Sequence, residues 1–220
     1  MFVCLIRSGN REEHVVARTQ GAQTANAIAE VAASLFNEHG YEATSLRQIA
    51  SEVGIQVGSL YNHIDGKNEL LHNIMVGILD DLLDAIRNAT AAGTDPVSRL
   101  VLALDCHIRF HALRSRDVFI GNSELRSLPP ENRADVINRR DAYEEILRDL
   151  VSDVVHATGA DPLDVRLQTY AILAIGTHVS SWYRPDGDMS LDDVVAGYTR
   201  VILRQLGIEE FGMRVGITTA

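Results

Sequence analysis

The chain has 220 residues, of which 46% are hydrophobic, enough to form one large domain or a small domain joined to a larger one. Its formal net charge of −10 argues against a protein that coats nucleic acid through bulk electrostatics, so any DNA contact must be local. No apolar run approaches the roughly 20 residues that span a bilayer, and the apolar run at residues 2–6 is too short for the core of a signal peptide. The two cysteines match neither a disulfide framework nor a paired metal motif. We therefore expect a cytoplasmic protein that has no membrane partner.

The first regular pattern in the chain is helical. From Thr24, apolar residues recur at steps of three and four, which places them on one helical face, and Gly40 can end that helix. Thr44 and Ser45 are N-cap candidates for a second, short helix that Gly54 ends, and a third short helix follows. Three short helices before a long one are typical of a helix-turn-helix headpiece.

Helical periodicity continues downstream and strand alternation is absent, so the sequence predicts an all-α protein. We place the later helices near residues 67–91, 97–114, 116–126, 131–157, 162–183 and 190–206, separated by glycine and proline breaks. The resulting organisation is a flexible leader (1–20), a helix-turn-helix domain (21–66), a helical-bundle domain for effector binding and dimerisation (67–208) and a tail (209–220).

The segment from Gly40 to Ile64, followed by Lys67-Asn68-Glu69-Leu70-Leu71, resembles the TetR family of repressors. Its specific elements are the Leu-Tyr-x-His run at residues 60–63 and the Lys-x-x-Leu-Leu motif after it. The resemblance implies a transcriptional regulator, expected to be a repressor, that binds a near-palindromic double-stranded DNA operator.

The predicted DNA-contacting residues lie on and around the third helix, whose amino end must approach base edges. The side chains expected to grip phosphates are Thr44, Ser45, Tyr61, His63 and Lys67. The resemblance places near the bases Arg47, Gln56, Val57 and Ser59, with Gly58 and Asn62 on the same surface. Tyr61 could instead belong to the core, and Arg47 could be a solvated surface charge.

The predicted headpiece is acidic, since residues 22–72 hold two basic and six acidic side chains. Such a headpiece should bind DNA weakly alone, so two copies per operator are needed. The last two long helices, 162–183 and 190–206, carry wide apolar faces that predict a homodimer with a four-helix interface. Packing of these faces inside a monomer is the alternative.

His107 and His111 stand four residues apart on a predicted helix, a spacing at which two histidines could ligate zinc. Ile108 stands where the zincin motif needs its glutamate, which disfavours hydrolytic chemistry. The simpler interpretation is that both histidines form local hydrogen bonds or line a cavity. We predict neither a metal nor a cofactor.

Arg140 falls on the apolar stripe of the helix at 131–157, where a charge is costly unless it is paired. Its anionic partner could be Glu124 or Glu144 within the protein. The functional alternative is a carboxylate or phosphate of a bound effector.

A second resemblance rests on residues 124–128, 140–143, 182–187 and 190–191, which look like the effector domains of TetR-type repressors of lipid or steroid breakdown. Members of that group respond to acyl-coenzyme A thioesters, which implies an acyl-CoA effector here. The residues predicted to bind it are His107, Phe110, His111, Phe119, Arg140, Tyr143, His178 and Trp182. A hydrophobic drug-like ligand of an efflux regulator is the alternative, although aromatic residues make up only 5% of the chain.

Proteins of other classes, a helical enzyme or an interaction module without DNA binding, have little support. The sequence shows no nucleophile elbow, phosphate-binding loop or dinucleotide fingerprint. The acidic pairs Asp80-Asp81 and Asp192-Asp193 occupy adjacent helical positions, which cannot face a common substrate. We therefore predict that the protein is not an enzyme.

Overall fold

The computed structural model describes residues 10–160 and 164–208, with side chains from Gly21 onward. Within these residues the chain is helical without a strand, which confirms the predicted all-α class. The α-helices are α1 (Asn10–His39), α2 (Leu46–Val53), α3 (Val57–Leu60), α4 (Lys67–Ala91), α5 (Pro96–Leu113), α6 (Ser115–Ser123), α7 (Pro130–Thr158), α8 (Val165–Trp182) and α9 (Leu191–Gln205). A 3-10 turn, Leu125–Ser127, separates α6 from α7.

The helix ends are set by local chemistry. Ser45 caps α2 through a reciprocal capping box with Gln48, and Gly54 ends α2 in the left-handed conformation with a φ of 79°. Asp95 caps α5 in the same reciprocal way, and Pro96 occupies the first turn. For these two helices prediction and structure agree: Gly54 ends α2, and α5 (Pro96–Leu113) is within one residue of the predicted helix at 97–114.

The chain divides into two compact units. Of the described residues, the headpiece unit comprises those up to Val76 together with Phe119–Ala134, and the body unit comprises Gly77–Val118 and those from Asp135 onward. Helices α4, α6 and α7 contribute residues to both units, whereas the sequence pattern placed the boundary at residue 66. Of the predicted leader and tail, residues 1–9 and 209–220 lie outside the described residues, and α1 already begins at Asn10.

Each unit has its own buried apolar residues. In the headpiece unit, fully buried side chains include Ile28, Phe36, Ile49, Leu60 and Leu71. The body unit holds a cluster from α4, α5, α7, α8 and α9 that includes Leu100, Leu104, Leu147, Ile172 and Ile202. A smaller cluster in the same unit includes Ile108, Val179 and Val194. None of the described helices is both long and apolar enough to cross a membrane.

Candidate functional site

The helix-turn-helix motif consists of α2, the turn at Gly54 and the short α3. Ile49, Ala50 and Leu60 are buried, so one side of both helices packs against the rest of the headpiece unit. The amide of Gly54 donates to the carbonyl of Ala50 and so closes the end of α2. The opposite side of α2 and α3 is therefore the surface available to DNA.

Most of the predicted DNA-contacting side chains lie on this exposed side. The exposed residues are Ser45, Arg47, Gln56, Val57, Gly58, Ser59, Tyr61 and Asn62, and His63 is half-buried. Tyr61 is 55% exposed, so it is not the core residue of the alternative interpretation. The arrangement presents hydroxyls, amides and one guanidinium, the groups that bind phosphates and base edges.

Thr44 and Ser45 use their hydroxyls within the protein. Thr44 is 1% exposed, and its Oγ1 donates to the carbonyls of Gly40 at 2.9 Å and Leu35 at 3.2 Å. Ser45 Oγ accepts from the Gln48 amide as the cap of α2. The structure therefore assigns Thr44 to the interior and leaves Ser45 at an exposed helix start.

Lys67 also has protein partners where the sequence suggested a phosphate. Its Nζ donates to the carbonyls of Tyr41 at 2.9 Å, Thr44 at 3.1 Å and Glu42 at 3.4 Å. The same ammonium lies 4.2 Å from the centroid of the Tyr41 ring. Lys67 thus ties the start of α4 to the loop between α1 and α2.

Tyr41 is a central residue of this loop that no sequence pattern marks as functional. Its ring is 3% exposed and meets the Phe36 ring edge-on at 5.2 Å, and its hydroxyl donates to Asn68. Burial and the nearby carboxylates of Glu42 and Glu124 raise the pKa of Tyr41. The only sequence signal was its place in the Gly40-Tyr41 start of the family-like segment.

The body unit contains a buried polar cluster formed by His107, His111 and Tyr143. His107 is completely buried, and its Nδ1 is 2.7 Å from the Tyr143 hydroxyl. His111 donates from Nδ1 to the His107 carbonyl at 2.8 Å, and the two imidazoles meet at 4.3 Å. The His111 bond is the local hydrogen bond of the simpler interpretation, whereas the His107–Tyr143 contact joins α5 to α7 across 36 residues of sequence.

Burial decides the charge of this cluster. Burial, with a smaller contribution from His111, holds the pKa of His107 well below its ordinary value. Burial also lowers the pKa of His111 and raises that of Tyr143 well above its usual range. All three side chains are therefore neutral near pH 7.

Helix α8 approaches the His107 imidazole very closely at Gly176. A Cβ at residue 176 would stand 2.2 Å from His107 Nε2, so only glycine fits there. Backbone carbonyls of Leu173 and Ile172 partly offset the fall in the pKa of His107. Nevertheless, among the described residues Nε2 finds no hydrogen bond of acceptable geometry.

The remaining predicted effector residues differ in how exposed they are and in the unit to which they belong. Phe110 is half-buried beside His111, with ring centroids 5.8 Å apart. Burial lowers the pKa of Arg140, which is half-buried on α7. His178 is exposed, Trp182 is 37% exposed, and Phe119 is 46% exposed and belongs to the headpiece unit.

The adjacent aspartates do diverge as their spacing predicts. Each carboxylate has a separate partner: Asp80 accepts from Arg139 at 2.8 Å, Asp81 from Arg114 at 2.8 Å, Asp192 from Arg109 at 2.6 Å and Asp193 from the Ser190 hydroxyl at 2.7 Å. In the described part of the chain, no three His, Cys, Asp or Glu side chains are grouped so as to hold a metal ion.

An exposed helix-turn-helix surface on an all-helical chain with a separate helical body defines a DNA-binding regulator of the helix-turn-helix class. Two family profiles match the chain: "Bacterial regulatory proteins, tetR family" over residues 28–74 and "Tetracyclin repressor-like, C-terminal domain" over residues 93–206. The chain therefore belongs to the TetR family. It is a TetR-type transcriptional repressor and not an enzyme.

The chain is also similar to individual proteins of the family. The HTH-type transcriptional repressor KstR2 of Rhodococcus jostii is 32% identical over 80% of this chain and 87% of its own length. KstR2 of Mycobacterium tuberculosis is 30% identical over 80% of this chain and 89% of its own. The solved structure of the latter, a ketosteroid transcriptional regulator, superposes with a TM-score of 0.73 at 27% identity, covering 82% of this chain and 93% of that one.

A further structural neighbour was solved with its ligands. AibR in complex with isovaleryl coenzyme A and operator DNA has a TM-score of 0.74 and 27% identity, and the match covers 81% of this chain and 97% of AibR.

Proposed function

We propose that this regulator represses its target genes until an acyl-CoA thioester from lipid or steroid catabolism releases it from a near-palindromic operator. The observation that carries the proposal is the similarity to KstR2 repressors over 80% of the chain, much more than the helix-turn-helix segment alone. The likeness to AibR supports an acyl-CoA as the kind of effector.

DNA recognition is assigned to the exposed side of α2 and α3. Arg47 reads a base, because its guanidinium can bond both O6 and N7 of guanine. Tyr61 and His63 hold phosphates and so fix the register of the headpiece on the duplex. An Arg47→Ala variant should lose about 1–3 kcal/mol of discrimination at one base pair while keeping its affinity for random DNA. Equal losses on operator and random DNA would refute this role.

The effector is assigned to the body unit. His107, His111 and Tyr143 are buried polar groups of the body unit, and such groups can orient a thioester carbonyl by hydrogen bonding. Arg140 supplies the positive charge for the anionic part of the ligand. Phe110 adds apolar contact, while His178 and Trp182 would meet a ligand only where it reaches the exposed end of α8. Phe119 is not part of this assignment.

Dimerisation is assigned to α8 and α9. Leu167 is 65% exposed, Val201 is 45% exposed and Tyr170 is 39% exposed, although each is apolar or aromatic. A two-fold related copy would cover these side chains in a four-helix interface. The acidic headpiece makes a dimer necessary, because two weak contacts then act together on one operator.

Native mass spectrometry of the protein as purified tests the effector class without a prior choice of ligand. A retained mass corresponding to a CoA thioester supports the proposal. A retained cationic, aromatic compound would favour the alternative, a regulator of efflux that answers drug-like ligands.

A further inference from the structure

The loop between α1 and α2 is held from two directions. From one side, Lys67 at the start of α4 donates to three of its carbonyls. From the other, the Tyr41 amide donates to Glu124 Oε1 at 3.5 Å, across 83 residues of sequence. The second oxygen of the same carboxylate accepts from the Ser127 hydroxyl at 3.0 Å, which orients it.

Glu124 belongs to a segment that packs as part of the headpiece unit. Residues 119–134 are grouped with this unit, and within them Ile120 is 0% exposed and Leu128 is 3% exposed. The segment is also the covalent connection between α6 and α7. The headpiece unit is thus connected to the body through three helices, of which α4 is one.

The α1–α2 loop leads directly into the helix-turn-helix motif. Ser45, which caps α2, follows Tyr41 by four residues, and Thr44 between them is anchored to Gly40 and Leu35. Tyr41 itself is fixed by its packing on Phe36. A contact that fixes the Tyr41 amide therefore also fixes where α2 begins.

We propose that Glu124 is a positioning residue for operator binding, which acts by accepting the Tyr41 amide and so holding the α1–α2 loop in the orientation that DNA recognition needs. The proposal rests on DNA binding by the chain and does not depend on which ligand releases it. Glu124 also gives the α6–α7 connection a direct contact with the loop that leads into the helix-turn-helix motif.

A purely electrostatic effect and a positioning effect predict opposite changes in DNA affinity when Glu124 is removed, which makes the proposal testable. Removing an acidic side chain from an acidic headpiece should tighten binding to DNA through weaker repulsion. Removing a positioning contact should instead weaken binding, and the loss should be larger on the operator than on random duplex.

The test uses an operator selected from random duplexes by the full-length wild-type protein, with a random duplex of equal length for comparison. Glu124→Asp keeps the charge but shortens the side chain, so it should lose the Tyr41 amide and bind the operator about three- to tenfold more weakly. Glu124→Gln keeps an acceptor oxygen and should stay within about twofold of wild type. Glu131→Gln, at an exposed acidic position of the same segment, is the control for charge.

Hydrogen exchange provides a second measurement for the same variants. The Tyr41 amide should exchange faster in Glu124→Asp than in wild type or Glu124→Gln, while exchange at the Gln48 amide in the α2 cap stays unchanged. Operator affinity of Glu124→Asp equal to or tighter than wild type would overturn the proposal. So would weakening of Glu124→Gln or Glu131→Gln as large as that of Glu124→Asp, because Glu124→Gln keeps the acceptor oxygen and Glu131 is an exposed residue outside the contact.

Discussion

The imidazole of His107 on α5 lies directly against the backbone of Gly176 on α8, where no side chain of α8 separates the two. A Cβ on residue 176 would stand 2.0 Å from His107 Cδ2 and 2.2 Å from Nε2. Since Nδ1 of the same ring pairs with Tyr143 on α7, His107 joins three helices of the body unit. The body is therefore sensitive to small changes at a single glycine.

Gly176→Ala should destabilise the protein by about 1–3 kcal/mol or more, because the methyl group must displace a fully buried ring. Urea unfolding measures the effect. The matched control is Gly77→Ala in α4, where a Cβ meets nothing within 4 Å and alanine should be neutral or slightly stabilising. Equal stability of the two variants would contradict the close approach of α8 to His107.

Acid should destabilise the body unit through its two buried histidines. Burial lowers the pKa of both His107 and His111 in the folded state, so the unfolded chain binds more protons below about pH 6.5. Stability is then complete above that pH and falls below it, by up to about 1.4 kcal/mol per pH unit for each histidine.

Urea unfolding between pH 7.5 and 5 measures this dependence. The loss of unfolding free energy on acidification should be smaller in His107→Gln, which removes one of the titrating groups. It should be unchanged in His178→Gln, since His178 is exposed on α8. A pH dependence that is the same in both variants would argue against a buried neutral His107.

Replacing Lys67 with methionine separates two roles of this residue. Its ammonium has three carbonyl partners in the headpiece unit, so its loss should lower headpiece stability by on the order of 2 kcal/mol and weaken binding to all DNA sequences. The slope of log affinity against log salt should stay the same, because no phosphate contact is lost. A slope smaller by about one with unchanged stability would instead assign Lys67 to a phosphate.

Leu167→Glu should shift the protein from dimer to monomer in sedimentation at micromolar concentration. The residue is exposed in the single chain, so folding should be preserved while a buried charge opposes the interface. Leu113→Glu on α5 is a matched control, since both leucines are 65% exposed. Dimers of equal strength in the two variants would place the interface away from this face of α8.

The fold was predictable because its signals are local. The predicted and observed bounds of α4 coincide at residues 67 and 91, and Gly54 and the Ser45–Gln48 pair mark the ends of α2 within a few residues of sequence. The predicted helix at 116–126 was wrong in one respect. It ends at Ser123, and a separate 3-10 turn follows.

The contacts of the candidate site were harder to predict because they join residues far apart in the sequence. Lys67 and Tyr41 are 26 residues apart, and Glu124 is 83 residues from Tyr41, distances over which helical periodicity carries no information. In the structure Glu124 accepts from Tyr41 and Ser127, and Glu144 pairs with Arg148 at 3.4 Å.

The central claim, that an acyl-CoA releases the repressor from its operator, is tested most directly by titrating the protein–operator complex and following fluorescence anisotropy of labelled DNA. Acyl-CoAs, the matching free acids and cationic dyes are compared, and a 100-fold loss of DNA affinity requires about 2.7 kcal/mol of differential binding. We predict release by acyl-CoAs at lower concentration than by the free acids, with a blunted response but unchanged operator affinity in Arg140→Met. Release by the dyes alone would contradict the account.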